Sequence, residues 1–387
     1  MKSTKQEKFL LPKLSGLAVA LLLVGCEREG GSGAGVSAPY SDQAASQPVV
    51  CTSCGDLGKL SPRQQAMQQV KQVADSQPKA DGGTPEGMVL IPAGTYTLSD
   101  TVTHSTMSPL ARRGFNRPPV YTYETEAFWI DAHEVTNAEF KQFVDATGYV
   151  TTAEKPFDPA DFPGLSAQQL AEVRATFKPG AVVFTPPDHA VELDTFNQFL
   201  QWWSYVPGAS WKYPKGPGSD IADMMDHPVV NVSWYDAKAY AEWAGKQLPN
   251  THQWEIAARG GLVGKEFVWG EAQLGKGGES GREYQANIWQ GEFPQANNKA
   301  DGFVSTAPVG SFPANGFGIY DMAGNVWEWV DDLAPGYPAE SGYRTQRGGS
   351  YLCSDVYCAA FRPAHSAGSD AYTGLGHTGF RCIRMKQ

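Results

Sequence analysis

An α+β fold with little regular secondary structure is what this sequence predicts, and three observations predict it. Glycine and proline are abundant, 42 and 27 of 387 residues, so turns should be frequent and long elements few. Aromatic residues reach 12%, with 11 tryptophans, which supplies large anchors for loops. Three stretches of the body combine a helix start signal with apolar helical spacing, whereas its other apolar segments are short or alternate. The length is ample for a buried core without staples.

The elements follow in chain order. Lys2, Lys5, Lys8 and Lys13 precede an apolar run from Leu14 to Val24 that is too short to span a bilayer comfortably, the pattern of a signal peptide over residues 1–25. Leu23-Val24-Gly25-Cys26 resembles the bacterial lipobox, which implies cleavage before Cys26 and lipidation of its sulfur. Acyl chains there would hold the protein on a membrane through its N-terminus only. Residues 26–85 begin with small polar side chains that cannot bury enough surface to offset ordering, so they read as a tether. Within the tether, Cys51 and Cys54 form a C-x-x-C without the second pair of a zinc ribbon, which leaves a local disulfide or a flexible pair. Ser61 to Ser76 read as a short polar helix.

The folded body spans residues 86–387. MVLIPAGTYTLSD carries a strand, a Pro-Ala-Gly turn and a second strand. A further strand leads into a helix opened by a capping box at Thr136 and Glu139, with Val135 placed to staple Phe140, Phe143 and Val144 continuing the apolar face, and Gly148 as the stop. Ser233 with Asp236 repeats the device for a helix that carries Tyr240 and Trp243 and ends at Gly245. Asn250 with Gln253 opens a third helix, through Trp254 to Arg259, closed by Gly260-Gly261. Residues 176–221 read as an insertion in which Trp202, Trp203 and Trp211 either line a surface groove or pack in the core. Beyond Gly261 the chain is loop and short strand, and so long an irregular stretch suggests organisation by ions.

The formal charge is -10, and it becomes -13 once the signal peptide takes away four lysines and one glutamate. Such a chain repels phosphate backbones, so nucleic-acid binding is not expected. Export also places the cysteines in an oxidising compartment, where a disulfide is the default for a pair.

HPVVNVSWYDAKAYAEWAGKQLP, ANIWQGEFPQANNKADGF, APVGSFPANGFGIYDMAGNVWEW, RGGSYLCSDVYC and TGFRC, in that order, resemble the sulfatase-modifying, formylglycine-generating enzymes from about Gly87 to Arg384. The resemblance implies a C-type-lectin-like architecture with bound calcium. It also implies conversion of a cysteine in a C-x-P-x-R segment of an unfolded or nascent sulfatase to formylglycine, with O2 and copper(I). Cys353 and Cys358 sit where the copper ligands would be, and thiolates are soft donors that suit copper(I). Spacing and export alone favour a disulfide between them, and both states can belong to one site. Ser350 matches a family active-site serine.

The segment also departs from the pattern. Ser354, Ala359, Ala360, Phe361, His365 and Ser366 replace a histidine, an asparagine, an arginine, a tyrosine, an alanine and a final arginine, so that Arg362 alone of the arginines remains. His377 is near enough in sequence to compensate, although a histidine in a Gly-rich loop is more often simply exposed. Cys382 reads as a buried, inert thiol.

By resemblance, Asn287, Ile288, Asp301 and Phe303 would hold one calcium, and Asp321, Gly324, Val326 and Glu328 a second, oxygen-only sets that suit a hard cation. A monomer exported to the cell envelope is expected. The rival reading is a non-catalytic, lectin-like surface lipoprotein for binding or envelope assembly.

Overall fold

The computed structural model of the chain describes residues 85–99, 118–156, 166–176, 178–193, 198–270 and 284–386. The signal peptide, Cys26, the tether with Cys51 and Cys54, and the expected helix from Ser61 to Ser76 lie outside the described residues. Strands β1 (Met88–Ile91) and β2 (Gly94–Leu98) form on either side of the Pro-Ala turn. They do not pair with each other. β2 pairs antiparallel with β3 (Tyr121–Thr125), and β1 with β4 (Phe128–Asp131), with Met88 opposite Asp131.

Helix α1 (Asn137–Thr147) starts at the expected box: Glu139 N–H donates to Thr136 Oγ1 at 3.2 Å and Thr136 N–H to Glu139 Oε2 at 2.8 Å. Gly148, at φ 64°, stops it in the left-handed conformation that glycine adopts without strain. Helix α2 (Ala167–Thr176) lies within the stretch between the first two expected helices. It lacks the apolar stripe that would announce a helix, and Ser166 and Gln169 cap it. Strands β5 (Gly180–Phe184) and β6 (Trp203–Pro207) pair antiparallel in the expected insertion.

α3 (Trp234–Trp243) and α4 (Thr251–Arg259) start at Ser233 and Asn250 with reciprocal caps from Asp236 and Gln253. After Arg259 no α-helix occurs among the described residues. A small hairpin, β7 (Gly291–Glu292) with β8 (Ala296–Asn297), precedes the main strands β9 (Trp327–Leu333), β10 (Tyr343–Arg347) and β11 (Ser366–Asp370). The last two, β12 (Thr378–Gly379) and β13 (Ile383–Met385), go to different sheets. One is four-stranded in the order β11-β10-β9-β12, with β12 parallel to β9, and the other three-stranded in the order β1-β4-β13.

Aromatic clusters fill the spaces between these thin elements. Trp254 and Ile256 of α4 pack with Phe128, Ile130, Trp327 and Phe361. Phe140, Phe143 and Tyr240 join α1 to α3 against Trp211, Trp329 and Phe380. Trp202, Trp203, Trp289 and Phe293 form a third cluster with Tyr351, Leu352 and Leu375. Trp202, Trp203 and Trp211 are 1%, 7% and 1% exposed, so they pack in the core instead of lining a groove, and each contributes roughly 2–3 kcal/mol of burial. Cys382 is fully buried, its thiol pKa pushed well up by desolvation, and its N–H donates to Asp131 Oδ2 at 2.8 Å.

Candidate active site

The site begins where β10 ends. Gly348 and Gly349, at φ 89° and 68°, turn the chain out of the sheet, and a Cβ on Gly349 would meet the Phe361 nitrogen at 2.7 Å. Side chains are excluded there by contact as well as by conformation. The turn buries Ser350 completely. Cys353 N–H donates to the Ser350 carbonyl at 2.9 Å, and Ser350 N–H points at Cys353 Sγ across 3.4 Å. Cys353 and Cys358 are 1% and 6% exposed and are joined as a disulfide, with their Cα atoms 4.4 Å apart. Ser354 N–H closes the intervening turn on the Cys358 carbonyl at 2.8 Å.

Aromatic rings surround this turn. Tyr357 stacks on Phe293 at 4.2 Å and meets the edge of Trp202 at 5.6 Å, while Trp289 N–H donates to the Cys353 carbonyl at 2.9 Å. His377 is not the exposed loop residue that its sequence context suggests. Its Nδ1 lies 3.3 Å from Ser350 Oγ, and its ring meets Trp203 edge-on at 4.7 Å. Half-buried by surface area yet ringed by protein atoms, it is desolvated, and its pKa falls to about 3. A neutral imidazole can therefore accept from the serine hydroxyl across the physiological range. That hydroxyl in turn accepts from Leu352 N–H at 3.3 Å. His365 and Ser366, which replace family residues, are both buried.

The first oxygen set converges. Asp301 is held by Phe303 N–H at 3.1 Å and also by the Ile288 N–H, while its other carboxylate oxygen is buried without a partner. Burial raises its pKa. Asn287 turns its amide nitrogen to the Ser305 carbonyl at 2.9 Å and to Asn325 Oδ1 at 3.1 Å. A buried carboxylate oxygen without a partner is a donor of the kind that suits a hard cation, although Ile288 and Phe303 meet Asp301 through their N–H groups and the Ile288 carbonyl accepts from Gln290 Nε2 at 3.3 Å.

The second set is adjacent, since Asn287 and Gly324 form a parallel bridge. Here Glu328 is engaged by Arg381 through two contacts of 2.7 Å and by Trp254 Nε1 at 2.7 Å. Asp321 accepts from Gly310 N–H at 2.7 Å, and its pKa rises to about 6 through desolvation. The orphaned oxygen of this cluster belongs to Glu134, which is fully buried and whose pKa is raised well above the usual range by desolvation and by Asp321. Three buried carboxylates face one guanidinium, an imbalance that a divalent cation would relieve. Sequence reasoning missed Glu134, although an acid between the apolar strand and the Thr136 cap was a visible oddity. It also missed Asn325, whose amide bridges Glu134 at 3.1 Å, Asn287 and the Ala307 N–H at 2.8 Å.

Comparison with known proteins gives the same assignment throughout the body. The sulfatase-modifying factor enzyme 1-like domain family matches residues 72–386. The formylglycine-generating enzyme of Mycobacterium tuberculosis is 41% identical over 315 residues, covering 76% of this chain and 97% of that protein. That of Bos taurus is 36% identical over 357 residues, 87% of each chain. A protein named inactive C-alpha-formylglycine-generating enzyme 2, also from Bos taurus, is 35% identical over 303 residues, 78% of this chain and 88% of that protein. A fold of short strands and capped helices, a cysteine turn behind a glycine pair and this breadth of match lead to one conclusion: the chain belongs to the sulfatase-modifying factor enzyme 1-like family.

Proposed function

We propose that this protein is a copper-dependent oxidase that converts a cysteine in a C-x-P-x-R segment of exported sulfatases to formylglycine with O2. The observation that carries the reading is the turn from Ser350 to Cys358, which brings two sulfurs into bonding contact beside a buried serine. Reduced, the pair offers two soft donors close enough to share one ion, and copper(I) bound there would supply activation of O2 beside a substrate thiol. Cys353 and Cys358 would hold that ion. The Ser350 N–H, 3.4 Å from Cys353 Sγ, is placed to orient that sulfur. Ser350 Oγ, fixed by His377 and Leu352, keeps a defined orientation next to the pair, and the aromatic wall of Trp202, Trp289, Phe293 and Tyr357 limits access of water. In the overall balance the substrate exchanges its sulfur, released as sulfide, for one oxygen atom of O2. The other oxygen leaves as water, with two electrons and two protons from a thiol reductant.

Calcium at the two oxygen sets has a structural role in this reading. Lipidation at Cys26 would place the enzyme on the cell envelope as a membrane-anchored monomer. No helix among the described residues is long and apolar enough to cross a membrane.

The test is mass spectrometry of a C-x-P-x-R peptide incubated with reduced, copper-loaded protein, O2 and a thiol. Thiol-to-aldehyde conversion is expected, with its loss in Cys353→Ala and Cys358→Ala. An unchanged peptide would overturn the assignment. It would favour the non-catalytic surface lipoprotein, a reading to which the changed residues after Cys358 and the relative named inactive lend support.

A further inference from the structure

Arg362 is the arginine that this chain keeps after its second active-site cysteine, and its side chain is only 1% exposed. Its Nε donates to Glu266 Oε1 at 2.7 Å, its Nη2 to Asp355 Oδ1 at 2.7 Å and its Nη1 to the Ala359 carbonyl at 3.2 Å. The rings of Phe267 and Phe361 lie 4.8 and 4.7 Å from the guanidinium carbon. Three of its N–H groups are bonded, two rings pack against it and almost none of it reaches solvent, so it is not placed to meet a guest peptide.

Its bonds lead instead to the cysteine turn. Asp355 stands between Cys353 and Cys358, and next to it Val356 is 51% exposed at the tip. Tyr357 then stacks on Phe293. The turn is thus fastened on one flank by an aromatic stack and on the other by a charge-assisted bond to a buried guanidinium. Fastening matters because two thiols on a short flexible loop meet at a limited effective concentration, and any restraint that pre-orders the closed loop raises it.

We propose that Arg362, acting through its ion pair with Asp355, is a positioning residue that sets the effective concentration of the Cys353 and Cys358 sulfurs toward each other. The proposal builds on the reading of these cysteines as the working pair. A surface ion pair would have little leverage. Here the cation is buried and shared with Glu266, so Arg362 is itself immobile and the restraint falls on the half-exposed Asp355.

The experiment equilibrates the full-length, metal-free protein in glutathione buffers. Two glutathione thiols and the protein disulfide form as one glutathione disulfide and the protein dithiol are consumed, so atoms and electrons balance within the buffer. Alkylation and peptide mass spectrometry read the fraction oxidised at Cys353 and Cys358, apart from the other cysteines. Asp355→Asn should lower the thiol–disulfide equilibrium constant about five- to tenfold, tenfold being about 30 mV for this two-electron couple. Glu266→Gln, whose amide oxygen can still accept from Arg362 Nε and which leaves the bond to Asp355 in place, should stay within about twofold.

The proposal is overturned if Asp355→Asn stays within twofold of the wild type, or if Glu266→Gln shifts the constant as much. Both variants alter carboxylates that are partly exposed, so folding is expected to survive. The readout needs neither copper nor sulfatase peptide. A shift in Asp355→Asn alongside an inactive wild type would therefore sustain the positioning role while sinking the enzymatic one.

Discussion

His377 shows how a single residue can be misplaced by local reasoning. Among glycines in sequence, it reads as exposed, yet the fold brings it against Ser350, 27 positions away, and against the far more distant Trp203. No periodicity in the chain encodes that contact. A consequence for stability follows from its depressed pKa. In the unfolded chain it titrates near 6.5 and in the folded one at about 3, so the unfolded state binds more protons between those values. Its contribution is complete above pH 6.5 and is lost as the pH falls toward 3. Because part of the ring reaches solvent, the expected loss near pH 4.5 is on the order of 1–2 kcal/mol. Urea titrations of the wild type and His377→Asn should converge in stability as the pH falls from about 7 to about 4.5. Parallel curves would mean that the imidazole is not desolvated. The cysteines were legible for the opposite reason, being set by a five-residue spacing and a glycine pair that travel together in the sequence.

At the scale of elements, the capping boxes at Thr136, Ser233 and Asn250 could be read directly because their partners lie three residues apart and apolar helical spacing follows, whereas the same spacing at Ser166 and Gln169 has no such face behind it. Their energies differ, however, in a way the sequence does not disclose. Asn250 serves mainly its own helix, accepting from Gln253 N–H at 2.8 Å, with one long bond from its amide to the Tyr123 hydroxyl at 3.4 Å. Asp236 accepts from the N–H and hydroxyl of Ser233 at 2.8 Å each, and also from the Tyr149 hydroxyl and Thr152 N–H at 3.0 Å each. It therefore ties the segment after α1 to the start of α3 in a fully buried setting. Asn250→Ala should cost about 1 kcal/mol, and Asp236→Ala about 3–5 kcal/mol because it strands several buried donors. Equal shifts in chemical denaturation would refute that difference. Helix α2 was illegible because it offers no apolar face, and the separation of β1 from β2 because alternation fixes which side of a strand is buried and not which partner it takes.

For the whole molecule, two oxygen-rich sites lie where the long loops converge, and their buried carboxylates outnumber the nearby guanidinium. The irregularity of the second half of the chain was legible. Glu134 and Asn325 were not, since they enter from distant segments. Chelation by EDTA should lower the thermal midpoint by about 5 °C relative to protein in calcium at roughly a hundred times its dissociation constant. Asp301→Ala should weaken the response, and an unchanged midpoint would argue that the loops hold themselves. The strands at Thr378–Gly379 and Ile383–Met385 complete one sheet each, and the Arg381 between them neutralises Glu328 at the centre. Neither sheet can be finished until that stretch has been synthesised. The nascent polypeptide must then stay incomplete while most of it leaves the ribosome, so that the core sets only once nearly the whole body is available to close it.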